Sequence, residues 1–279
     1  MPQSEAPNAV LAATQTFDYE HGASGPIEQR AIVVETPVQL SFGGAPFAVM
    51  MATPRDLQDF AVGFALTEGI VERIDEIRQV EVKVAVGDDN ASVDVALTSD
   101  RLRAHLSRAR AMAGRTGCGL CGIEDLAHLP KPRRPVSPTE PIAPAAIRTA
   151  LEGIERAQPL NAETRAAHGA AWSDRSGAVL FVREDVGRHN ALDKLIGALA
   201  RASVDPSSGF IVITSRCSFE MVAKAAAFGA ATLVSLSAPT SLALERARES
   251  GITLIAIARA DCATIFTNAA SENTGGQAA

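Results

Sequence analysis

Two cysteines three positions apart are the residues of this sequence best suited to chemistry. Cys118 and Cys121 form a Cys-Gly-Leu-Cys segment, and the stretch from Arg101 to Ile123 around them carries five arginines and no acidic residue. A nearby cation favours the thiolate over the thiol, which makes a cysteine a competent nucleophile near neutral pH. Glycines relax the backbone, so the segment could carry a sulfur atom between two places. The glycines around the pair are Gly114, Gly117, Gly119 and Gly122.

Two other interpretations of this cysteine pair stay open at this point. A structural zinc site would need two further ligands, and the sequence has no second Cys-x-x-Cys and no His-x₃₋₅-His, so we expect no zinc. A thioredoxin-like site opens a helix after a strand, whereas this motif follows a predicted helix and precedes a proline-rich stretch. The remaining cysteines, Cys217 and Cys262, are predicted to be buried small hydrophobic residues.

A second set of polar residues follows the predicted strands of the C-terminal half. The segments are Arg183 to Asn190, Thr214 to Arg216, and Ser237 to Thr240. Ligands of open α/β sheets bind outside the carboxyl ends of strands, where helix N-termini offer free N–H groups to an anion. The pattern predicts a site for a phosphate-bearing ligand, although N-cap hydroxyls and helical ion pairs are also ordinary structural devices. His168 and His189 lie in such polar segments, and neither is predicted to be a general base.

Several functional classes are excluded by motif and composition. The sequence contains neither G-x-G-x-x-G nor G-x-x-x-x-G-K-[ST], and no His has Glu two residues later, which argues against dinucleotide folds, Walker phosphate loops and zinc deaminases. A net charge of −6, one Trp and one Tyr provide no basic or aromatic platform for nucleic acid. Without a long apolar run or a basic leader, we expect no membrane segment and a cytoplasmic location.

Periodicity divides the chain into four segments. In the N-terminal half we predict strands at 32–40, 47–51, 80–86 and 91–97, a helix from Leu57 towards Gly69, and an Arg-rich helix at 99–113. The C-terminal half alternates strands at 178–182, 210–214, 231–235 and 252–258 with helices at 190–200, 219–228 and 242–249, which is typical of βαβ units on a mainly parallel sheet. The segments are a disordered lead-in (1–27), an N-terminal α+β domain ending in the Cys-x-x-Cys loop (28–129), a linker with six prolines (130–144) and a C-terminal α/β domain (145–279).

With these segments in view, the chain resembles the FdhD family of formate dehydrogenase accessory sulfurtransferases over roughly Glu35 to Ile265. The resemblance rests on several long motifs in the same order. They are Thr53-Pro54-Arg55-Asp56, Ala61-Val62-Gly63-Phe64, Thr67-Glu68-Gly69-Ile70, Cys118-Gly119-Leu120-Cys121-Gly122, the run from Glu184 to Lys194, and Ser237-Ala238-Pro239-Thr240.

This resemblance implies a dimeric cytoplasmic protein that accepts persulfide sulfur from a cysteine desulfurase. It would deliver the sulfur to the bis-molybdopterin guanine dinucleotide molybdenum cofactor, bound as a substrate before insertion into apo formate dehydrogenase. The resemblance implies that GDP, as a guanine nucleotide, would occupy the same site. The implied fold is a smaller N-terminal α+β domain with a three-layer C-terminal domain like that of cytidine deaminases, without their zinc.

The resemblance also assigns residues. Cys118 would bear the persulfide with Cys121 as its partner, and Ile257-Ala258-Arg259-Ala260-Asp261-Cys262 would contact the cofactor. With the residues of the polar segments, the predicted cofactor site also includes His168, Arg188, His189, Thr214, Ser215, Arg216, Ser237 and Thr240. The leading alternative is a chaperone that binds the cofactor without passing sulfur.

The sequence departs from the family pattern around the predicted cofactor site. The family's Thr-Gly-Gly-x-His is here Thr164-Arg165-Ala166-Ala167-His168, and Ser215 stands where a Gly usually precedes Arg216. Further departures are Ile257, Ala260, Thr264 and Phe266.

Overall fold

The computed structural model describes residues 7–84, 90–111 and 135–269. Within these ranges the chain forms three β-sheets and seven α-helices. Cys118 and Cys121 lie outside the described residues, as does most of the predicted proline-rich linker up to residue 134. Residues 135–143 have no regular secondary structure.

The first sheet is an antiparallel ribbon where the sequence predicted a disordered lead-in. It pairs β1 (Ala9–Asp18) with β2 (Gly22–Val33). The prediction of disorder up to residue 27 was therefore wrong for this part of the chain. Most ribbon side chains are exposed or partly exposed. Neither face of the ribbon is buried, so its sequence lacks the apolar/polar alternation from which a half-buried strand is predicted.

The second sheet has four strands in the order β4-β3-β6-β5. The strands are β3 (Thr36–Phe42), β4 (Ala45–Ala52), β5 (Ile77–Val84) and β6 (Ala91–Leu97). The strand predicted at 32–40 is thus divided between β2 and β3. The other three strands are confirmed. Two helices follow this sheet's strands, α1 (Leu57–Thr67) and α2 (Ser99–Ala111).

Helix α1 covers the core of the four-stranded sheet. Its apolar residues Leu57, Phe60, Ala61, Phe64 and Ala65 recur every three or four positions and are all buried in one cluster with the sheet. The predicted helix is therefore confirmed.

The third sheet has six strands in the order β12-β11-β10-β9-β7-β8. They are β7 (His168–Asp174), β8 (Val179–Asp185), β9 (Gly209–Ile213), β10 (Thr232–Ser235), β11 (Thr253–Ala256) and β12 (Thr264–Thr267). β9, β10 and β11 are parallel neighbours, and β7 lies antiparallel between β8 and β9. β8, β9, β10 and β11 therefore point the same way, as predicted, while β7 and β12 run opposite and were not predicted.

Helices cover both faces of this sheet, which gives three layers. They are α3 (Pro144–Arg156), α4 (Pro159–Thr164), α5 (Arg188–Arg201), α6 (Phe219–Phe228) and α7 (Ser241–Ser250). One apolar cluster joins the sheet to α5, α6 and α7, and a second joins the opposite face to α3. The alternating strands and helices of the sequence place an apolar layer on each side, as in α/β proteins generally.

The two halves of the chain meet through α1 and α5 at two glycines. A Cβ added to Gly63 would lie 1.8 Å from the carbonyl oxygen of Asp193, and one added to Gly197 would lie 1.9 Å from that of Asp59. Any larger side chain would force these backbones apart. Gly63 belongs to one of the motifs quoted above, and its role here is helix packing.

Candidate functional site

One edge of the six-stranded sheet collects the residues that the sequence predicted to bind a ligand. β8, β9, β10 and β11 all end at this edge, and β7, running the other way, begins there with His168. The segments after these strands therefore become neighbours although about 90 residues of sequence separate the first from the last. We call this edge, with the segments that follow or precede its strands, the ligand edge.

Hydrogen bonds join the neighbouring segments of the ligand edge. The N–H of Gly169 donates to Oγ1 of Thr214 at 2.9 Å, and the N–H of Thr214 donates to the carbonyl oxygen of Gly169 at 3.0 Å. The Ser235 hydroxyl donates to the carbonyl oxygen of Ser215 at 2.9 Å, while the N–H of Thr240 donates to that of Cys217 at 3.0 Å. The segments after β9 and β10 are thus held side by side, and β7, which pairs with the end of β8, connects them to the segment after β8.

The segment after β11 completes this edge. The N–H of Ile257 donates to the carbonyl oxygen of Ser237 at 3.2 Å, and the Arg259 guanidinium donates to that of Leu236. Ile257 is exposed and has a φ of 53°, which is costly for a β-branched residue. Ala260, Asp261 and Cys262 are exposed beside it, so the whole predicted segment lies at the ligand edge.

Most of the long motif from Glu184 to Lys194 has a structural role. Asp185 accepts hydrogen bonds from the N–H groups of Thr53 at 3.0 Å and Gly187 at 2.7 Å, and from the Asn190 amide at 3.0 Å. Its carboxylate also lies 2.6 Å from Nζ of Lys194, with both side chains fully buried. Lys194 donates to the carbonyl oxygen of Thr53 at 2.9 Å as well. These contacts connect the N-terminal motif beginning at Thr53 to the end of β8.

Two other members of that motif are also occupied by structural contacts. Asp193 lies 2.9 Å from Nζ of Lys224, which also contacts Glu68 and Thr67 of the N-terminal half. Burial opposes the charge of Lys224, yet the carboxylates of Asp193 and Glu68 hold its pKa above the usual value. Glu184 accepts from the first free N–H groups of α4. Arg188 has no carboxylate partner among the described residues, and His189 beside it pairs with Glu220.

Arg188 and His189 begin α5 at the ligand edge. The N-cap, Gly187, has no side chain to bond the first N–H groups of this 14-residue helix, and the positive end of the helix dipole lies there. Nε2 of His189 is 2.9 Å from a carboxylate oxygen of Glu220, and this contact lowers the pKa of Glu220 below its ordinary range. Burial and the charge of Arg188 lower the pKa of His168, which favours its neutral form.

Four arginines make the ligand edge basic. None of them forms an ion pair with a carboxylate of the described residues. Arginines that do form such ion pairs, for example Arg101, Arg201 and Arg246, lie elsewhere on the fold. A guanidinium without a carboxylate partner can bind phosphate oxygens, which it matches in geometry and charge. The four are Arg165, Arg188, Arg216 and Arg259.

Arg165 was noted in the sequence only as a departure from a glycine. The structure places it at the end of α4 with a φ of 58°, the left-handed conformation that glycine adopts without strain. Its side chain is exposed beside the start of β7. The one sequence signal for this site was the family pattern itself, which has Gly at this position.

The two cysteines that the structure describes differ sharply. Cys217 is fully buried, as predicted, and burial raises its pKa to about 12, so it stays a thiol. Cys262 is exposed, so the prediction that it is buried was wrong. It follows Asp261 in a loop beyond the end of β11, where no apolar layer covers it.

Neither a metal cluster nor a membrane-spanning helix lies within the described residues. Within residues 7–84, 90–111 and 135–269, no three side chains of His, Cys, Asp or Glu lie close enough together to hold a metal ion. Cys118 and Cys121 fall outside those ranges, so this result does not bear on a zinc site that includes them. No helix in the described part of the chain is long and apolar enough to cross a bilayer.

Fold and site together define a class: a mixed α/β protein with a basic ligand edge at the carboxyl ends of a parallel strand group. Comparison with known sequences makes the assignment specific, because the model of the FdhD/NarQ family matches residues 33–272. The chain belongs to this family.

Three relatives named "Sulfur carrier protein FdhD" show the extent of the match. The protein of Variovorax paradoxus is 48% identical over 238 residues, covering 85% of this chain and 84% of the relative. That of Bordetella bronchiseptica is 46% identical over 238 residues, with 85% of each chain covered. That of Xanthomonas euvesicatoria pv. vesicatoria is 42% identical over 266 residues, covering 95% of this chain and 93% of the relative.

A solved structure supports the fold. The crystal structure of a formate dehydrogenase accessory protein from Desulfotalea psychrophila superimposes with a TM-score of 0.72. It covers 94% of this chain and 97% of its own, at 23% sequence identity. At that identity the likeness establishes the shared fold only.

Proposed function

We propose that this protein is a sulfur carrier that passes persulfide sulfur from a cysteine desulfurase to the bis-molybdopterin guanine dinucleotide molybdenum cofactor, as formate dehydrogenase activity requires. The observation that carries the proposal is the ligand edge, where the N-terminus of α5 and four arginines without carboxylate partners among the described residues lie at the same end of the six-stranded sheet. A substrate with several phosphates fits such a surface. The names of the relatives supply the sulfur-carrier half of the proposal.

The sulfur chemistry belongs to Cys118 and Cys121. The Cys118 thiolate attacks the outer sulfur of the desulfurase persulfide, and the desulfurase thiolate leaves. In the delivery step the acceptor attacks the outer sulfur now on Cys118, and the Cys118 thiolate leaves. A thiolate stabilised by neighbouring arginines favours both steps, because it is the attacking group in the first and the leaving group in the second.

The residues of the ligand edge bind and orient the substrate. Arg188, Arg216 and Arg259 would hold its phosphates, with the first N–H groups of α5 donating to the same oxygens. Hydroxyl and backbone groups at Thr214, Ser215, Ser237 and Thr240 would position the nucleoside parts. GDP is the simplest probe of this site because it carries the guanine and two phosphates.

The wider proposal concerns architecture and partners. We propose that the three-layer half has the cytidine-deaminase-like arrangement, that the protein works in the cytoplasm as a homodimer, and that a cysteine desulfurase and apo formate dehydrogenase are its partners. The three layers around the six-stranded sheet support the architectural part.

A desulfurase assay with ³⁵S-cysteine tests the sulfur step. We expect label on Cys118 in the unmodified protein and its loss in Cys118→Ala. Cys262→Ser is the matched control, because it removes an exposed thiol at the ligand edge and should leave labelling unchanged. Label that survives in Cys118→Ala would assign the persulfide to a different thiol.

The second candidate is a chaperone that holds and inserts the cofactor without passing sulfur. The basic ligand edge favours it equally, because that surface explains binding and not transfer. Formate dehydrogenase activity in a strain carrying Cys118→Ala separates the two. Loss of activity, with GDP binding retained by the purified variant, supports the sulfur carrier, and unchanged activity supports the chaperone.

A further inference from the structure

Thr53 lies where the N-terminal half of the chain contacts the start of the ligand edge. It follows β4 directly and precedes Pro54, four residues before α1 begins. A residue before proline is restricted to extended conformations, and a β-branched side chain has few rotamers. Thr53 is also fully buried. Its polar groups therefore point in fixed directions.

Three polar groups of Thr53 bond to the C-terminal half. Its N–H donates to Oδ2 of Asp185 at 3.0 Å, and its carbonyl oxygen accepts from Nζ of Lys194 at 2.9 Å. Its hydroxyl oxygen accepts from the N–H of Val186 at 3.2 Å. One threonine thus contacts the end of β8, the residue that follows it, and α5.

These contacts fix the inner side of the turn between β8 and α5, residues 186–189, which we call the 186–189 turn. Oδ1 of Asp185 accepts from the N–H of Gly187 at 2.7 Å and from the Asn190 amide at 3.0 Å. The same amide donates to the carbonyl oxygen of Met51 at 2.8 Å. A Cβ on Gly187 would lie 2.8 Å from Nδ2 of Asn190, so the turn is packed closely against these groups.

The outer side of the 186–189 turn carries groups that we propose to bind phosphate. Arg188 and His189 are partly exposed there, and no side-chain cap bonds the first N–H groups of α5. Hydrogen bonds weaken steeply when donor and acceptor are misaligned, and a site is only as well aligned as the groups that support it. A group that fixes this turn therefore affects phosphate affinity without contacting the ligand.

We propose that Thr53 is a positioning residue whose hydroxyl oxygen, by accepting from the N–H of Val186, holds the 186–189 turn in the shape that binds phosphate. This inference rests on the proposed function and deepens it. It makes the N-terminal half, whose sequence continues to Cys118 and Cys121, responsible for the geometry of the phosphate site in the other half.

Thr53→Val tests the proposal. Valine has nearly the same shape as threonine and keeps the backbone bonds to Asp185 and Lys194, but it cannot accept from the N–H of Val186. By calorimetric titration we expect the dissociation constant of GDP to rise about fivefold, the effect of one neutral hydrogen bond. By mass spectrometry we expect faster amide hydrogen exchange in peptides covering residues 184–190 of the ligand-free protein.

Thr53→Ser separates the positioning role from a general loss of stability. Serine keeps the hydroxyl group and removes a buried methyl group, so the melting temperature should fall. We expect this variant to bind GDP within about twofold of the unmodified protein. If GDP affinity instead follows the melting temperature in both variants, the hydroxyl group has no positioning role and the proposal is wrong.

Thr67→Val is the matched control for a contact between the two halves. The Thr67 hydroxyl donates to Oδ1 of Asp193 at 2.7 Å and accepts from Lys224, further along α5 than the 186–189 turn. We expect neither GDP affinity nor exchange at residues 184–190 to change by more than about twofold. Equal effects of Thr53→Val and Thr67→Val would show that any loosening between the halves weakens binding, which would overturn the proposal.

The two readouts distinguish failure of this inference from failure of the proposed function. An unmodified protein that does not bind GDP would contradict the proposed function. The exchange measurement needs no ligand, so unchanged exchange in Thr53→Val would overturn the positioning role whatever GDP does. Faster exchange together with unchanged GDP affinity would also overturn it, since the turn would then move without affecting the phosphates.

Discussion

His168 shows how one side chain at the ligand edge responds to the groups around it. It opens β7 opposite Asp185 of β8, half-buried, with Arg188 and His189 at the start of α5. Burial and then the charge of Arg188 lower its pKa, while Asp185 acts in the opposite direction. The folded protein therefore holds His168 neutral more strongly than the unfolded chain does.

This difference predicts a pH dependence of stability. Between the folded pKa of His168 and its ordinary value of 6.5, the unfolded chain binds more protons, so folding weakens as the pH falls through this window. We expect the free energy of unfolding, from urea titrations at about pH 8 and about pH 5.5, to fall less in His168→Gln than in the unmodified protein. Equal falls in both proteins would contradict the assignment.

Arg165 combines a strained backbone conformation with a positive charge at the ligand edge. A left-handed residue other than glycine costs about 1 kcal/mol, and its φ of 58° places Arg165 in this class. We expect Arg165→Gly to raise the free energy of unfolding by about 0.5–1 kcal/mol and to weaken GDP binding. Arg165→Ala is the control, since it removes the charge and keeps the strain. It should weaken GDP binding without any gain in stability.

At the scale of elements, the contact between α1 and α5 determines how the two halves fit. Gly63 and Gly197 each lie against backbone atoms of the opposite helix, which brings the helices closer than any side chain would allow. The same helices carry Asp59, Asp193 and Lys194, whose ion pairs cross or adjoin this contact. Close backbone packing therefore sets the geometry of the buried polar groups.

A single methyl group at this contact should be costly. In Gly197→Ala the added carbon would overlap the carbonyl oxygen of Asp59, so α1 and α5 must separate. We expect the free energy of unfolding to fall by about 3 kcal/mol or more, beyond the usual cost of overpacking. Ala198→Gly, one position along the same helix, should cost only about 1 kcal/mol through helix propensity. Chemical denaturation of both variants decides the comparison.

The sequence predicted those elements whose burial is regular. β9, β10 and the helices from α5 to α7 agree with the predictions to within a few residues. In this part of the chain, apolar runs that form strands alternate with amphipathic segments that form helices. β7 was missed because its segment His-Gly-Ala-Ala-Trp-Ser-Asp is dominated by small residues without a strand-like alternation. The ribbon was missed for a different reason. Strands that are exposed on both faces do not need an apolar face, so their sequence lacks the apolar/polar alternation that predicts a strand.

The sequence predicted where the candidate site lies, but not which of its residues make structural contacts and which are available to a ligand. The polar segments after the strands were found because the carboxyl ends of parallel strands share one edge. The contacts of Asp185 and Lys194 with Thr53, and of Asp193 with Thr67, could not be found, since these partners lie in motifs more than 120 residues earlier. Sequence pattern identifies a motif, while the fold decides which of its members face a ligand.

For the whole molecule, the ligand edge is a basic surface on an acidic protein. The chain has a net charge of −6, yet four arginines without carboxylate partners among the described residues gather at this one edge. Acidic groups elsewhere repel a polyphosphate, and the basic edge attracts it, so the charge distribution both orients an anionic substrate and confines it. The fold produces this separation by ending four strands and starting α5 at the same place.

This charge separation predicts that phosphates carry most of the affinity. We expect GDP to bind more tightly than GMP, GMP more tightly than guanosine, and GDP binding to weaken as salt screens the arginines. Arg216→Gln should lower GDP affinity by about tenfold, the cost of one charged hydrogen bond. Arg148→Gln, on the exposed face of α3, removes the same charge away from the ligand edge and should leave affinity unchanged. Calorimetric titration gives all of these values, and equal affinities for GDP and guanosine would place the nucleotide elsewhere on the fold.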